Sequence, residues 1–201
     1  MAGPLRVCVL LSGSGSNLQA IIDGAPDGGY EVVAAISDRA EAPGLERARA
    51  AGVEAVHVDP KAHGSREELN EALADALRDR SVELVCLAGF MRILAPNFVK
   101  AFEHRILNIH PALLPAFPGG HAVRDALEWG SKVTGTTVHF VDDEVDHGPI
   151  VLQESVPVLP GDDEETLHER IKVVEHRLYP QAIRLFAEGR LRVEGRRVLI
   201  D

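Results

Sequence analysis

The chain has 201 residues, of which 45% are hydrophobic and 26% are charged, as is typical of an ordinary soluble globular protein. Lysine and arginine together number 21 against 31 aspartates and glutamates, so the formal net charge is −10. This balance argues against a nucleic-acid-binding surface, which would normally show as a basic stripe. The first apolar run is too short to span a membrane, and no signal-peptide pattern precedes it. We therefore expect a cytoplasmic protein that forms a single domain over residues 1–201, with no nucleic-acid or membrane partner.

Short apolar runs alternate with helical patterns through the first two thirds of the chain. The predicted strands lie at 5–11, 31–37, 54–58, 82–88 and 106–110, and the predicted helices lie at 17–23, 45–51, 65–80 and 97–104. Ser65 and Glu68 have the spacing of a capping box at the start of the clearest of these helices. The alternation predicts an α/β protein with one doubly wound, mostly parallel sheet and helices on both faces.

The last third of the chain has a different pattern. Two further strands are predicted at 136–141 and 150–158, separated by an acidic loop that contains glycine. A long helix is predicted over 163–188, and residues 190–200 have the charged character of a closing edge strand.

Ligands of such sheets collect at the carboxyl ends of the strands, where the first strand is followed by the turn Ser12–Asn17, SGSGSN. Its glycines would let the backbone approach a ligand, and the next helix would offer N–H groups to a phosphate. The turn lacks the GK[ST] ending of a P-loop and fails the GxGxxG pattern. It is therefore either a phosphate site or a plain tight turn. Asp38, just past the second strand, could act as the ribose-binding acid of a dinucleotide fold.

Asn108 and His110 lie two residues apart at the end of a predicted strand, so their side chains share one face. An amide that could hold an oxyanion beside an imidazole that could move a proton would suit acyl transfer. The alternative is a capping asparagine beside a hydrogen-bonded histidine. In the acidic run 142–146, one carboxylate could turn inward to orient a histidine, but the spacing does not say which.

Other candidates have simpler explanations. The segment Met91–Leu94 could line a flat-ring pocket, although core packing before a helix explains it equally well. Arg66 and Glu175 are expected to be solvated helix charges. No histidine or cysteine pattern has metal-ligand spacing, and both Cys8 and Cys86 lie in apolar runs, where buried inert thiols are expected.

Taken together, the segments SGSGSNLQAIID, LAGFMRIL, ILNIHPALLP, GTTVHFVDDEVDHGPI and EHRLYP strongly resemble the phosphoribosylglycinamide formyltransferase family, from Arg6 to about Val193. The resemblance implies the formyltransferase fold. It also implies transfer of the formyl group of 10-formyltetrahydrofolate, a co-substrate, to the amine of glycinamide ribonucleotide in purine synthesis. Neither a metal nor a covalent intermediate is implied. The implied partners are these small molecules only, and the chain is expected to be a monomer or a homodimer.

The resemblance also assigns roles to individual residues. Asn108 would steady the oxyanion, His110 would transfer protons, and Asp146 would pair with His110 and raise its pKa. The positions implied to bind the ribonucleotide are Gly15, Ser16, Asn17 and Glu175. The positions implied to bind the folate are Arg66, Met91, Arg92, Ile93, Leu94 and Asn108.

Several alternatives share part of this pattern. A formyltetrahydrofolate deformylase would use the same three catalytic positions with water as the acceptor, but that family carries a regulatory domain before the catalytic one. Methionyl-tRNA formyltransferase resembles this fold with an added RNA-binding domain at its carboxyl end. From other classes, a catalytically silent folate- or nucleotide-binding module would not need the His–Asp pair, and a dinucleotide-binding protein would need a third glycine.

Overall fold

Residues 3–201, the part of the chain that the computed structural model describes, form a nine-stranded sheet covered by helices. The strands are β1 (Leu5–Leu11), β2 (Tyr30–Ser37), β3 (Glu54–His57), β4 (Leu84–Leu87), β5 (Ile106–His110), β6 (Val133–Phe140), β7 (Ile150–Pro157), β8 (Leu191–Glu194) and β9 (Arg197–Ile200). The helices are α1 (Ser16–Gly28), α2 (Pro43–Ala50), α3 (Arg66–Arg78), α4 (Pro96–Ala101), α5 (Ala122–Trp129) and α6 (Glu164–Ala187), with a 3₁₀ turn at Pro60–Ala62.

The strand order is β3-β2-β1-β4-β5-β6-β7-β9-β8. Strands β1 to β5 pair in parallel, and β6 is antiparallel to both β5 and β7. From β1 the chain moves outward to β2 and β3, then crosses back to place β4 on the other side of β1. The strand order therefore reverses between β1 and β4, where a doubly wound sheet forms its ligand crevice.

The apolar run of β1 is continuous because helices cover both faces of the sheet. Val7 and Val9 point to one face, where they belong to the core formed with α1, α2 and α6. Cys8 and Leu10 point to the other face and pack with α3 and α4. Tyr179 of α6 is fully buried under the sheet, and its hydroxyl lies 3.0 and 2.9 Å from carbonyl oxygens of β4 and β5. Helix α6 is thereby fixed to the strands that end at the crevice.

The predicted fold class is confirmed, and β1 and β5 have the predicted bounds. The bounds of the other elements shift by one to several residues, and three further details differ. Helix α5, which has eight residues and no side-chain cap on its first turn, was not predicted. Residues 190–200 form two strands because the chain reverses at Gly195, whose φ of +60° favours glycine. The capping box at Ser65 is half formed, because the Glu68 carboxylate accepts from the Gly64 N–H instead.

Candidate active site

The end of β5 carries a compact polar cluster. Asn108 and His110 face the same side, and the Asp146 carboxylate from the β6–β7 loop lies against both. The distance from Asp146 Oδ2 to His110 Nδ1 is 3.3 Å, and Asp146 Oδ1 accepts from Asn108 Nδ2 at 3.2 Å. Among the other acids of the run 142–146, Asp142 Oδ2 lies 2.8 Å from His147 Nδ1, and Asp143 and Glu144 are exposed. Asp146 is thus the acid of this run that faces the end of β5.

The loop backbone holds Asp146 in this position. Its φ is +52°, in the left-handed region that aspartate adopts more readily than most residues. The Gly119 N–H donates to Asp146 Oδ2 at 2.7 Å and so ties the carboxylate to the β5–α5 segment. Gly148 follows closely, and a Cβ there would lie 1.9 Å from the Phe140 carbonyl oxygen. Only glycine fits at that position, and the loop returns tightly to the sheet.

His110 is 4% exposed and has an acceptor on each side of its ring. Nε2 lies 2.7 Å from the Phe117 carbonyl oxygen, and Nδ1 faces Asp146. Burial lowers the pKa of His110 below its ordinary value, although the Asp146 charge and the Phe117 carbonyl act to raise it. Asp146 thus acts on this pKa in the expected direction, but the hydration lost by the buried ring outweighs its acceptors and makes the net shift downward.

His139 belongs to the same cluster, and the sequence analysis missed it. It lies directly opposite Asn108 in the antiparallel β5–β6 pair, so the two side chains share a face. Its Nδ1 is 2.8 Å from the Phe140 carbonyl oxygen and must carry the proton, which leaves Nε2 to accept from Asn108 Nδ2 at 3.1 Å. The alternating pattern TTVHF indicated an inward histidine, but only the antiparallel register places it beside Asn108.

Asp146 is the charged group of the cluster. Burial raises its pKa, but the nearby His139 ring, the hydrogen bond from the Gly119 N–H and the nearby His110 ring outweigh burial and hold the pKa below its ordinary value. The cluster consequently pairs an ionised carboxylate with a histidine that favours its neutral form. Such a pair can accept a proton and stabilise the imidazolium that results.

A second group of residues lies at the amino end of α1, next to the end of β1. Gly15 precedes the helix with φ +72°, and a Cβ there would lie 2.5 Å from Gly44 Cα. No side chain caps the first turn of α1, so its N–H groups remain available to an anion. Asn17 Nδ2 donates to Glu175 Oε2 at 2.8 Å, while Asn17 Oδ1 is buried with no partner. The structure thus brings together the positions Gly15, Ser16, Asn17 and Glu175.

Basic side chains that were not predicted to belong to the site lie near this helix end. Arg47 Nε donates to the Ser14 carbonyl oxygen at 2.9 Å. Directly after Glu175 on α6, His176 Nε2 is buried without a partner. Burial lowers the pKa of His176, as do the charges of Lys172 and Arg47. The helical spacing of residues 172, 175 and 176 was the available signal that these side chains share a surface.

Glu175 itself is buried, contrary to the expectation of a solvated helix charge, and it is 4% exposed. Burial raises its pKa, and only the Asn17 amide and the charge of Lys172 oppose that effect. A carboxyl group with a single protein hydrogen bond retains capacity to bind a further polar group.

Of the predicted folate-binding residues, Asn108 belongs to the His110 cluster, Arg66 begins α3, and Met91–Leu94 follow β4. Met91 and Ile93 are 65% and 61% exposed, Leu94 is buried in the core, and Arg92 Nε donates to Asp38 Oδ2 at 2.7 Å. Arg66 is near this segment only through Asn70. The Asn70 side chain accepts from the Ala95 N–H and donates to the Arg66 carbonyl oxygen.

Within residues 3–201, no hydrogen bond or ion pair joins Arg66 or Met91–Leu94 to Asn108, His110 or Asp146. Nowhere in this same range do three or more histidine, cysteine, aspartate or glutamate side chains gather so that they could hold a metal ion. No helix of the described chain has the length and apolar character needed to cross a membrane.

Comparison with known proteins identifies the family. Residues 5–183 match the formyl transferase family. The chain is 46% identical over 199 residues to the phosphoribosylglycinamide formyltransferase of Escherichia coli (strain K12), covering 98% of this chain and 94% of that protein. It is 50% identical over 197 residues to the enzyme of the same name from Mycobacterium tuberculosis (strain CDC 1551 / Oshkosh), covering 97% and 91%.

Other relatives are much longer. The chain is 50% identical to the trifunctional purine biosynthetic protein adenosine-3 of Gallus gallus over 191 residues, which are 94% of this chain and 19% of that protein. It likewise spans only 14% of the protein of that name from Drosophila pseudoobscura pseudoobscura.

Among solved structures, the crystal structure of glycinamide ribonucleotide transformylase 1 from Symbiobacterium toebii is similar with a TM-score of 0.97 at 59% identity. The match covers 100% of this chain and 95% of that one. The sequence match, the nearly complete coverage of the bacterial relatives and the shared fold agree. The chain belongs to the formyl transferase family, and within it to the phosphoribosylglycinamide formyltransferases.

Proposed function

We propose that the chain transfers the formyl group of 10-formyltetrahydrofolate to the amine of glycinamide ribonucleotide, a step of de novo purine synthesis. The observation that carries the proposal is the Asp146 carboxylate, which lies against both His110 and Asn108 at the crevice. Relatives similar over nearly their whole length bear the name of this activity.

His110 acts as the proton carrier. With Nδ1–H directed at Asp146, Nε2 exchanges the Phe117 carbonyl oxygen for the substrate and accepts a proton from the amine as the amine nitrogen bonds to the formyl carbon. Asp146 stabilises the imidazolium that forms. His110 then delivers the proton to the folate nitrogen as the bond between that nitrogen and the formyl carbon breaks. The lowered pKa of His110 suits the first of these steps, because the ring is neutral when it must act as a base. The proposal includes neither a metal nor a covalent enzyme intermediate.

Asn108 stabilises the negative charge that develops on the formyl oxygen. Its two amide hydrogens are engaged by Asp146 Oδ1 and by His139 Nε2. The amide must therefore exchange one of these partners for the formyl oxygen. The 3.1 Å contact with His139 is the one whose release leaves the carboxylate in place beside His110.

The ribonucleotide phosphate binds at the amino end of α1, through Gly15, Ser16 and Asn17. The uncapped first turn of α1 and the nearby positive charges of Arg47 and Lys172 support this assignment. Glu175 then faces the glycinamide part of the substrate. This arrangement points the substrate amine from the end of β1 toward the end of β5, across the point where the strand order reverses.

The folate binds beside Arg66, Met91, Arg92, Ile93 and Leu94, and reaches Asn108 with its formyl group. The support for this assignment is chemical. Exposed apolar side chains at Met91 and Ile93 offer a surface to a flat ring, and two arginines offer charge to the carboxylates of a folate. That the protein is cytoplasmic, and a monomer or homodimer, stays a prediction.

The test is spectrophotometric. Purified protein is mixed with 10-formyltetrahydrofolate, and deformylation is followed by absorbance with and without glycinamide ribonucleotide. The proposal predicts deformylation only when the ribonucleotide is present, together with formylated ribonucleotide in equal amount. Equal rates without the ribonucleotide would identify water as the acceptor and make the protein a deformylase. Absence of turnover in both mixtures would indicate a binding module.

A further inference from the structure

We propose that Asp38 is a positioning residue that joins the turn after β1 to the segment after β4, and so sets the affinity for the formyl folate. The inference rests on the proposed function and deepens it. Asp38 follows β2 directly and touches neither the His110 cluster nor the amino end of α1. It contributes through the two side chains that it holds.

Asp38 is a buried carboxylate with both oxygens occupied. Oδ1 accepts from the Ser12 hydroxyl at 2.6 Å, and Oδ2 accepts from Arg92 Nε at 2.7 Å. Its side chain is 6% exposed, whereas that of Arg92 is 43% exposed. A buried carboxylate costs free energy unless it is paired, so removal of its charge is felt by both partners. Because both oxygens are engaged and hidden, the geometry favours action through Ser12 and Arg92 over direct contact with a ribose.

Ser12 extends this connection to the backbone. Its hydroxyl donates to Asp38 and accepts from the Met91 N–H at 3.0 Å, and its own N–H donates to the Gly89 carbonyl oxygen at 3.1 Å. The hydroxyl has one hydrogen, so donation to Asp38 orients its lone pairs toward Met91. The carboxylate therefore fixes the direction of a hydrogen bond that anchors the first residue of the predicted folate segment.

Arg92 is held in a similar way. Charge-assisted bonds between a guanidinium and a carboxylate are short and strong, and a single pair restricts a long flexible side chain. Without the negative charge, Arg92 would be free to turn into solvent. The segment 91–94 would then be held less firmly at Arg92 and at the Met91 N–H, which Ser12 binds. This loss would weaken folate binding and leave ribonucleotide binding unchanged, because the amino end of α1 is held separately by Gly15 and Glu175.

The test compares Asp38→Asn with the wild-type chain in the formyl-transfer assay. Asp27→Asn, at an exposed position near the end of α1, serves as the matched control. We expect the KM for 10-formyltetrahydrofolate to rise about 5- to 30-fold, the range for loss of a charge-assisted hydrogen bond. The KM for glycinamide ribonucleotide and kcat should stay within about twofold of wild type, since the reacting groups are untouched. The control should leave all three constants unchanged.

Two further measurements keep the inference separate from the proposed function. Calorimetric titration with tetrahydrofolate, the product, measures folate affinity without turnover, and we expect the same loss for Asp38→Asn. Ser12→Ala should show a smaller loss of the same kind, and the double variant should be less impaired than the two single losses combined.

An active wild-type chain with unchanged folate constants in Asp38→Asn would overturn the inference alone. A rise in the KM for the ribonucleotide, or a parallel fall in kcat and Tm, would also overturn it. Absence of turnover in the wild-type chain would instead contradict the proposed function.

Discussion

Replacement of Asp146 by asparagine is the most direct test of the cluster at the end of β5. The substitution keeps the size of the side chain but removes the negative charge that lies 3.3 Å from His110 Nδ1. In the wild-type chain the two carboxylate oxygens accept hydrogen bonds from the Gly119 N–H and the Asn108 amide. The substitution turns one of these two acceptors into a donor. One of these donors must lose its partner. The imidazolium that forms when His110 accepts a proton is then no longer stabilised.

The magnitude follows from the distance. Two unit charges about 4 Å apart interact by about 4 kcal/mol at an effective dielectric constant of about 20, which suits partly buried sites. Since each 1.4 kcal/mol is about a tenfold change in rate, the full interaction corresponds to about a thousandfold loss of turnover. Reorganisation around the new amide recovers part of this, so we expect kcat to fall by about 10²- to 10³-fold.

The assay is the pH dependence of kcat/KM for Asp146→Asn, with Asp143→Asn as the control from the same loop. Burial already lowers the pKa of His110, and loss of the carboxylate lowers it further. The limb on which activity rises with pH should therefore move to lower pH, while the plateau falls. Asp143 is exposed, so its substitution should leave rate and profile unchanged. An Asp146→Asn enzyme with the wild-type rate and the wild-type limb would refute the assignment of Asp146 as the partner of His110.

Three other substitutions give separable results. His110→Ala should lower turnover about 10²- to 10⁴-fold while calorimetry shows both substrates still binding, and near-wild-type turnover would remove His110 from the mechanism. Glu175→Gln should raise the Tm near neutral pH. The pKa of Glu175 is raised in the folded state, so ionisation of this residue destabilises the fold. The effect is absent below the unfolded pKa of about 4.3, grows as pH rises toward the folded pKa, and is complete above it. A Tm gain that persists unchanged at low pH would contradict this explanation. Thr137→Val would leave the Ala112 carbonyl and the Leu114 N–H without their bonds of 2.7 and 3.1 Å. We expect a loss of about 1–3 kcal/mol in the free energy of unfolding by chemical denaturation, and an unchanged midpoint would mean that water replaces the hydroxyl.

Much of the fold could be predicted because apolar runs report burial directly. The strands β1 and β5 are continuous or nearly continuous apolar segments, and their bounds agree with the sequence pattern. Helix α5 was not predicted, although its buried residues Ala122, Val123 and Ala126 lie on one helical face; no side-chain cap marks its start. The strands β8 and β9 were merged into one because a tight reversal at Gly195 is hard to tell from a glycine within a strand. A single domain over the whole chain stays a prediction.

Within the candidate site, only residues whose position follows from a strand pattern could be predicted. Asn108 and His110 follow from alternation and from the rule that ligands gather where parallel strands end. The choice of Asp146 over its acidic neighbours depends on a left-handed backbone and on the Gly119 N–H, neither of which spacing can show. His139 required the antiparallel register of β6 against β5. The residues that could not be predicted are placed by contacts between distant segments, which periodicity within one segment does not show.

In this crevice, burial and nearby charges shift pKa values in opposite directions, and the balance between them differs from residue to residue. Burial favours the neutral form of every titratable group, so it lowers the pKa of His110 and raises that of Glu175. Asp146 differs from these two residues in that its pKa shifts toward the charged form in spite of burial, because a backbone N–H and two histidine rings compensate for the hydration that it loses. A neutral base and its counter-ion can therefore lie 3.3 Å apart without exchanging a proton beforehand. Proton transfer from an incoming amine to His110 then turns a neutral–anionic contact into an ion pair, which is the change in charge that the cluster is arranged to stabilise.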